Sequence, residues 1–337
     1  MTNPVLVERH RGTFIERSHR GRVAIVDRTG NLVAAMGDVT TPFLPRSSCK
    51  IMQAVPMVES GAADANRLTP QLLAFACASH QGSFTHAGLA NGWLNEMGLT
   101  DADLMCGVQL PGDRTTRMAM WDAGEKHCQL HNNCSGKHAG MLCQALHIGA
   151  PTAGYIDIDH PVQATIEQVS AELAGEDTAG WVADGCSAPN FALSLTGLAR
   201  AMAGFAAAET AFTGVRRDAA IRLRDAMASH PFEIAGEGRA CTDLIRAGNG
   251  SFVVKTGAEG CFTAILPEQG LGIALKIDDG DTMAANTTMA ALLVSLGALS
   301  ADNPAISKWL TPKEVNRRGM VCGGAAATKM ITELTLS

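Results

Sequence analysis

The chain has 337 residues, 46 % hydrophobic and 18 % charged, which suits a folded protein with one large core or two joined ones and excludes a disordered chain. A formal net charge of -6, with no basic run able to track phosphates, argues against a nucleic-acid partner. No stretch of about 18 apolar residues marks a membrane span, and aromatic residues make up only 4 %, with Tyr155 the sole tyrosine.

Residues 5 to 38 read as strands, with a hairpin turn at Thr29-Gly30-Asn31. The segment LPRSSCKIMQAVPMVESG, from Leu44 to Gly61, reads as an extended approach followed by a helix, with Ser47 or Ser48 as its cap and Gly61 as its stop. TPQLLAFACASH opens on a Thr cap and a Pro at the first helical position and runs into Ser79. Weaker helices are expected at 86–97 and 101–106, a polar loop leads into a helix ending before Gly149, and further helices are expected near 161–174, 191–206 and 215–229. SFVVKTGAEGCFTAILPEQGLGIALKID holds three apolar segments separated by turn signals and reads as three antiparallel strands, before a last long helix in TMAANTTMAALLVSLGAL. The expected fold class is α+β: one catalytic unit whose antiparallel sheet is built from about residues 1–45 and 240–337, with a helical block inserted at about 46–239.

Two short motifs carry nucleophilic chemistry when taken together. Ser47-x-x-Lys50 lies at a helix mouth, and Lys255-Thr256-Gly257 ends a strand. Serine acyl-enzymes of the β-lactamase and penicillin-binding type combine S-x-x-K with K-T-G. A serine hydroxyl needs a base to become a nucleophile. A lysine in a first helical turn faces the positive end of the dipole, and a second lysine repels it, so both effects favour a neutral amine. Gly257 leaves room for a ligand against the strand backbone. No S-D-N occurs, and Tyr155 is not followed by the pattern of a Tyr-x-Asn variant. Ser79 is the candidate for the middle position; as a bare sequence feature it reads equally well as a helix C-cap. Cys134-Ser135-Gly136-Lys137-His138 and Asp184-Gly185-Cys186 offer thiols, an amine, an imidazole and a carboxylate to a soft divalent metal such as zinc, although spacing alone fits buried core thiols as well.

PRSSCK, CASHQGS, HNNCSGKHAGML, DGCSAPNFALSL and VVKTGAEG together resemble the rhizobial-type L-asparaginases, the asparaginase II family, which is similar in fold to serine β-lactamases and penicillin-binding proteins. HNNCSGKH is the most specific of these motifs, since neither capping nor packing is expected to demand it. The resemblance implies a first Ser–Lys tandem of Ser47 and Lys50 and a second of Ser79 and Lys255. It implies zinc held by Cys134, Lys137 and Cys186, and a substrate pocket with Arg46, His138, Asp184 and Thr256. It implies hydrolysis of L-asparagine to L-aspartate and ammonia, with zinc supporting substrate binding. The alternatives are a glutaminase or another amidohydrolase of the same fold class, and a non-catalytic zinc or amino-acid-binding protein. The N-terminus MTNPVLVERHRG lacks a secretory pattern and the ten cysteines show no CxxC pair, so a reducing cytoplasmic setting is expected. A homodimer acting on a small molecule, with no membrane or nucleic acid, is the expected form.

Overall fold

The computed structural model describes residues 2–336 and divides them into two compact units. The first comprises residues 2–49, 193–207 and 243–336; the second comprises 50–192 and 208–242.

The first unit is built on an eight-stranded antiparallel sheet, with β1 Val5–Arg11, β2 Phe14–Asp27 and β3 Leu32–Met36 from the N-terminal part of the chain. A two-stranded hairpin of the second unit supplies β4 Trp181–Ala183 and β5 Pro189–Phe191. The remaining strands of the large sheet are β6 Val253–Thr256, β7 Cys261–Leu266, β8 Leu271–Ile277, β9 Lys313–Val315 and β10 Val321–Ala327. Their order is β6-β7-β8-β2-β1-β10-β9, with β3 also paired to β2. The long β2 serves two neighbourhoods: its first half pairs with β1, and from Gly21 onward it pairs with β8. Its apolar run Val23-Ala24-Ile25-Val26 is buried on both faces, which explains why its alternation is only moderate. β7 is buried along its whole length. The Leu195–Ala206 and Thr282–Ser295 helices both pack on β7 and β8.

N- and C-terminal strands therefore share one antiparallel sheet, as the chain order suggested. Two features depart from the sequence reading. Leu193–Ala207 belongs with the sheet unit rather than with a continuous helical block, because its helix covers the sheet. Strands β9 and β10 follow the last long helix, where no strand was read. VCGGAAA has little strand propensity of its own, and it is extended by its pairing with β1, from Val7↔Ala327 to Arg11↔Gly323.

The second unit is helical. Its central helix, Lys50–Glu59, packs against the Pro70–Ala76, Ser135–His147, Pro161–Ala174 and Gly214–Ser229 helices. Being surrounded, it buries every residue from Lys50 to Val58. The Pro70–Ala76 helix starts as read, with Thr69 Oγ1 accepting the Leu72 N–H at 3.3 Å. Among the described residues, no helix is long and apolar enough to cross a membrane.

Candidate active site

In the first unit the Ser-x-x-Lys segment does not begin with a capped α-helix. Arg46–Cys49 form a 3-10 turn, and the α-helix starts at Lys50. Arg46 adopts φ 54°, a left-handed conformation that is costly for a side chain other than glycine. The turn is tied down locally: the Ser48 N–H and hydroxyl both donate to the Pro45 carbonyl, at 3.2 and 2.7 Å. Neither serine is therefore a helix cap. Ser48 is fully buried with its hydroxyl engaged, whereas Ser47 is partly exposed.

This turn rests on the Lys-Thr-Gly strand. Thr263 on β7 donates its hydroxyl to the Ser48 carbonyl at 2.9 Å. A Cβ on Gly257 would stand 2.8 Å from the Pro45 oxygen and 3.0 Å from the Ser48 nitrogen. The space that glycine leaves is thus filled by the chain's own serine turn, not held open for a ligand as the sequence suggested. β6 is the edge strand of the sheet. Lys255 on it is buried, with its ammonium donating to the Thr256 carbonyl at 2.7 Å. The first unit therefore brings together Arg46, Ser47, Lys255 and Thr256, with Arg46 reaching Glu259 at 3.9 Å.

The second unit gathers the other candidates. Lys50, 1 % exposed, donates to the Ala78 carbonyl and to Cys134 Sγ at 3.1 Å. Lys137 donates to Cys186 Sγ at 3.2 Å. The hydrogen bond from Cys134 holds the Cys186 thiol far below its ordinary range, and the Lys137 charge adds to this. The same hydrogen bond, with burial, pushes Cys134 up. Burial opposes charge on Lys137, but the two neighbouring sulfurs outweigh it and raise its pKa. Lys137 and Cys186 therefore form a buried, hydrogen-bonded amine–sulfur pair.

His138 is fully buried, its Nδ1 2.6 Å from the Tyr155 hydroxyl, which accepts the Met105 N–H at 2.9 Å. Burial lowers His138 and raises Tyr155. Tyr155 was used in the sequence only to exclude a motif; its position as the sole tyrosine was the available signal of a special role. Asp184 accepts the Gly185 N–H at 2.8 Å and lies close enough to Lys137 to favour its charge. Ser79 is not a helix C-cap: the helix ends at Ala76 with Cys77 as its cap, and Ser79 lies in the following loop, its N–H bonded to the Ile234 carbonyl at 2.8 Å.

Packing does constrain HNNCSGKH, contrary to expectation. A Cβ on Gly136 would fall 2.3 Å from the Phe75 carbonyl oxygen, so only glycine lets the helix that carries Lys137 approach this closely. Behind the Ser79 loop, Phe75, His80, His86 and Phe232 form a stack with successive centroids 4.9, 4.8 and 4.6 Å apart. His80 Nδ1 accepts the Gly82 N–H at 3.1 Å, and its Nε2 lies 3.0 Å from Ser135 Oγ. His86 Nε2 donates to the Phe232 carbonyl at 3.1 Å, leaving Nδ1 to accept from Ser83 Oγ at 2.6 Å. These roles require neutral rings.

Cys134, Lys137 and Cys186 provide two sulfurs and an amine, a donor set suited to a soft divalent ion. No cluster of three or more His, Cys, Asp or Glu side chains that could hold a metal occurs among the described residues, so such a site depends on the lysine. All ten cysteines are free and most are buried.

A serine turn is set on a Lys-Thr-Gly strand in this α+β chain, and the family match supports an amidohydrolase. The chain belongs to the L-asparaginase II family, which it matches over residues 7–327. No curated protein matches it. Solved structures that it partly resembles include Mglu in its native form at 4.3 M NaCl, 14 % identical, covering 94 % of this chain and 70 % of that one at a TM-score of 0.48. A β-lactamase from Mycobacterium bovis is 12 % identical, with coverage of 85 % and 93 % and a TM-score of 0.40.

Two outcomes follow from this geometry. Gly136→Ala is expected to lower stability by about 1–3 kcal/mol through backbone overpacking, read from urea unfolding. Burial holds His86 below the ordinary histidine value of 6.5, so the unfolded chain binds a proton that the folded one resists. Stability is then full above pH 6.5 and falls as the pH drops through the folded pKa. Urea midpoints measured across this range are expected to show that fall, and His86→Gln to flatten it.

Proposed function

We propose that this amidohydrolase converts L-asparagine to L-aspartate and ammonia, with Ser47 as nucleophile. The observation that carries the choice of serine is the contrast within the turn: Ser48 is buried with its hydroxyl bonded to Pro45, while Ser47 is partly exposed. Family membership supports the reaction class.

In the proposed reaction Ser47 Oγ attacks the side-chain carboxamide carbon, its proton passing to a lysine amine. The lysine passes that proton on to the amide nitrogen, which leaves as ammonia as the C–N bond breaks and the acyl-enzyme ester forms. Water then cleaves the ester, releasing L-aspartate and restoring the serine hydroxyl. Lys50 and Lys255 are the proposed bases, with Ser79 as the relay of the second Ser–Lys pair. The Lys50 amine donates to the Ala78 carbonyl and to Cys134 Sγ. Arg46, His138, Asp184 and Thr256 are proposed to shape the substrate pocket. Cys134, Lys137 and Cys186 would hold zinc, whose positive charge would polarise and orient a polar group of the substrate. A homodimer is the proposed assembly.

Ser47→Ala is expected to lower ammonia release from L-asparagine by several orders of magnitude while leaving unfolding unchanged; Ser48→Ala, assayed alongside, is expected to remain active. Near-wild-type turnover by Ser47→Ala removes Ser47 from this role. Ammonia release from L-glutamine under the same conditions separates the two amide substrates.

Purified protein is expected to contain about one zinc per chain. Chelation is expected to raise KM for L-asparagine more than it lowers kcat. Protein free of zinc, with unchanged kinetics in Cys134→Ala and Cys186→Ala, would make the two cysteines plain core thiols.

A further inference from the structure

The β4–β5 hairpin carries Asp184 and Cys186 in its turn. Its register pairs Trp181 with Phe191, Val182 with Asn190 and Ala183 with Pro189, and the Asp184 N–H continues it to the Ala188 carbonyl at 2.9 Å. Cross-strand partners share a face, as do alternate residues along each strand. Val182, Asp184, Ala188 and Asn190 therefore lie on one face, with Asp184 and Asn190 as diagonal neighbours, about 7–8 Å apart in such a pair.

Asn190 is 2 % exposed, and both its Nδ2 and its Oδ1 lack a hydrogen-bond partner. Among the described residues it is the only side chain with two such orphaned atoms. The same unit satisfies a comparable residue fully: buried Asn132 donates to the Cys106 and Gly107 carbonyls at 2.8 and 2.9 Å and accepts the Cys134 N–H at 2.8 Å. An orphaned amide costs folding free energy that an apolar side chain of the same shape would not. A group kept at that cost, on the face that bears Asp184, is suited to a ligand.

We propose that Asn190 is a recognition residue for the α-carbon end of a free amino acid, acting beside Asp184; this deepens, and rests on, the asparaginase reading above. A primary amide offers two donors and an acceptor. A zwitterionic amino acid offers the complement: carboxylate oxygens for Nδ2 and ammonium hydrogens for Oδ1. The Asp184 carboxylate supplies the negative charge that the ammonium also requires. The recognised group is thus the one shared by L-asparagine and L-aspartate, not the reacting carboxamide.

Asn190→Leu tests this, with Asn190→Ala as the substitute if the larger side chain does not fold. Kinetics with L-asparagine, calorimetric binding of L-aspartate and ligand-free melting are measured on zinc-analysed full-length protein. The expected result is an increase of about tenfold or more in both KM and the L-aspartate Kd, with kcat changed by no more than about threefold. Melting of the ligand-free Leu variant is expected at or above the wild-type temperature, because an unsatisfied group has been removed. KM and Kd within about twofold of wild type overturn the proposal, and a lowered melting temperature accompanying them would assign the amide to an internal water network instead. Wild-type protein that binds L-aspartate through Asn190 but releases no ammonia would overturn the asparaginase reading and leave this one standing. Wild-type protein that neither binds nor hydrolyses overturns both.

Discussion

Lys50 is an amine buried at the first turn of the central helix, and much of the second unit is arranged around it. Its Nζ donates to the Ala78 carbonyl and to Cys134 Sγ. A buried lysine without a carboxylate can be kept only where neutral acceptors meet it. The Ala78 carbonyl is available because the Pro70–Ala76 helix has ended two residues earlier. Cys134 is presented by the segment that enters the Ser135–His147 helix, whose close approach needs Gly136. The same sulfur bonds to Cys186, which is bonded in turn to Lys137. Two amines and two thiols thus form a chain in which each member sets the electrostatic surroundings of the next. Because the four side chains touch one another, single-site effects on this cluster are not expected to add.

The first unit solves a different problem. It distinguishes the two serines of an adjacent pair by backbone geometry. The left-handed Arg46 and the two hydrogen bonds that Ser48 donates to the Pro45 carbonyl turn one hydroxyl inward and leave the other partly exposed. The carbonyl of Ser48 is in turn held by Thr263. β6 and β7 thereby seat a strained turn, and such strain persists only where the surroundings hold it in place.

What could be read in the sequence was local. Thr69-Pro70, the 161–174 helix and the three strands around Lys255 have signals within a few residues, and the structure has them. The Ser–Lys and Lys-Thr-Gly motifs and the two cysteine segments could be found because their residue types are unusual for their positions. What could not be read depended on distant partners. Val321–Ala327 is glycine- and alanine-rich and becomes a strand only beside β1. The choice between Ser47 and Ser48 rests on burial, which spacing does not encode. Gly136 and Gly257 were legible as glycines but not as contact points, because the carbonyls they approach lie 61 residues away at Phe75 and 212 residues away at Pro45. Asn190 stands inside a recognised motif, yet only its missing partners distinguish it.

The pairing of β1 with β10 bears on how the chain reaches this state. Val7 is matched to Ala327, and the Thr328 N–H bonds to the Leu6 carbonyl at 2.9 Å. During synthesis β1 can pair with β2 at once through a short turn, but its other edge stays open until more than three hundred residues have followed. An unpaired edge invites association with other chains, and pairing across such a separation is slow. β1 spends this interval with a charged segment, Glu8-Arg9-His10-Arg11, along the strand that must wait. Those side chains act as gatekeepers for a nascent polypeptide, a service to the ribosome-bound chain that the finished sheet no longer displays.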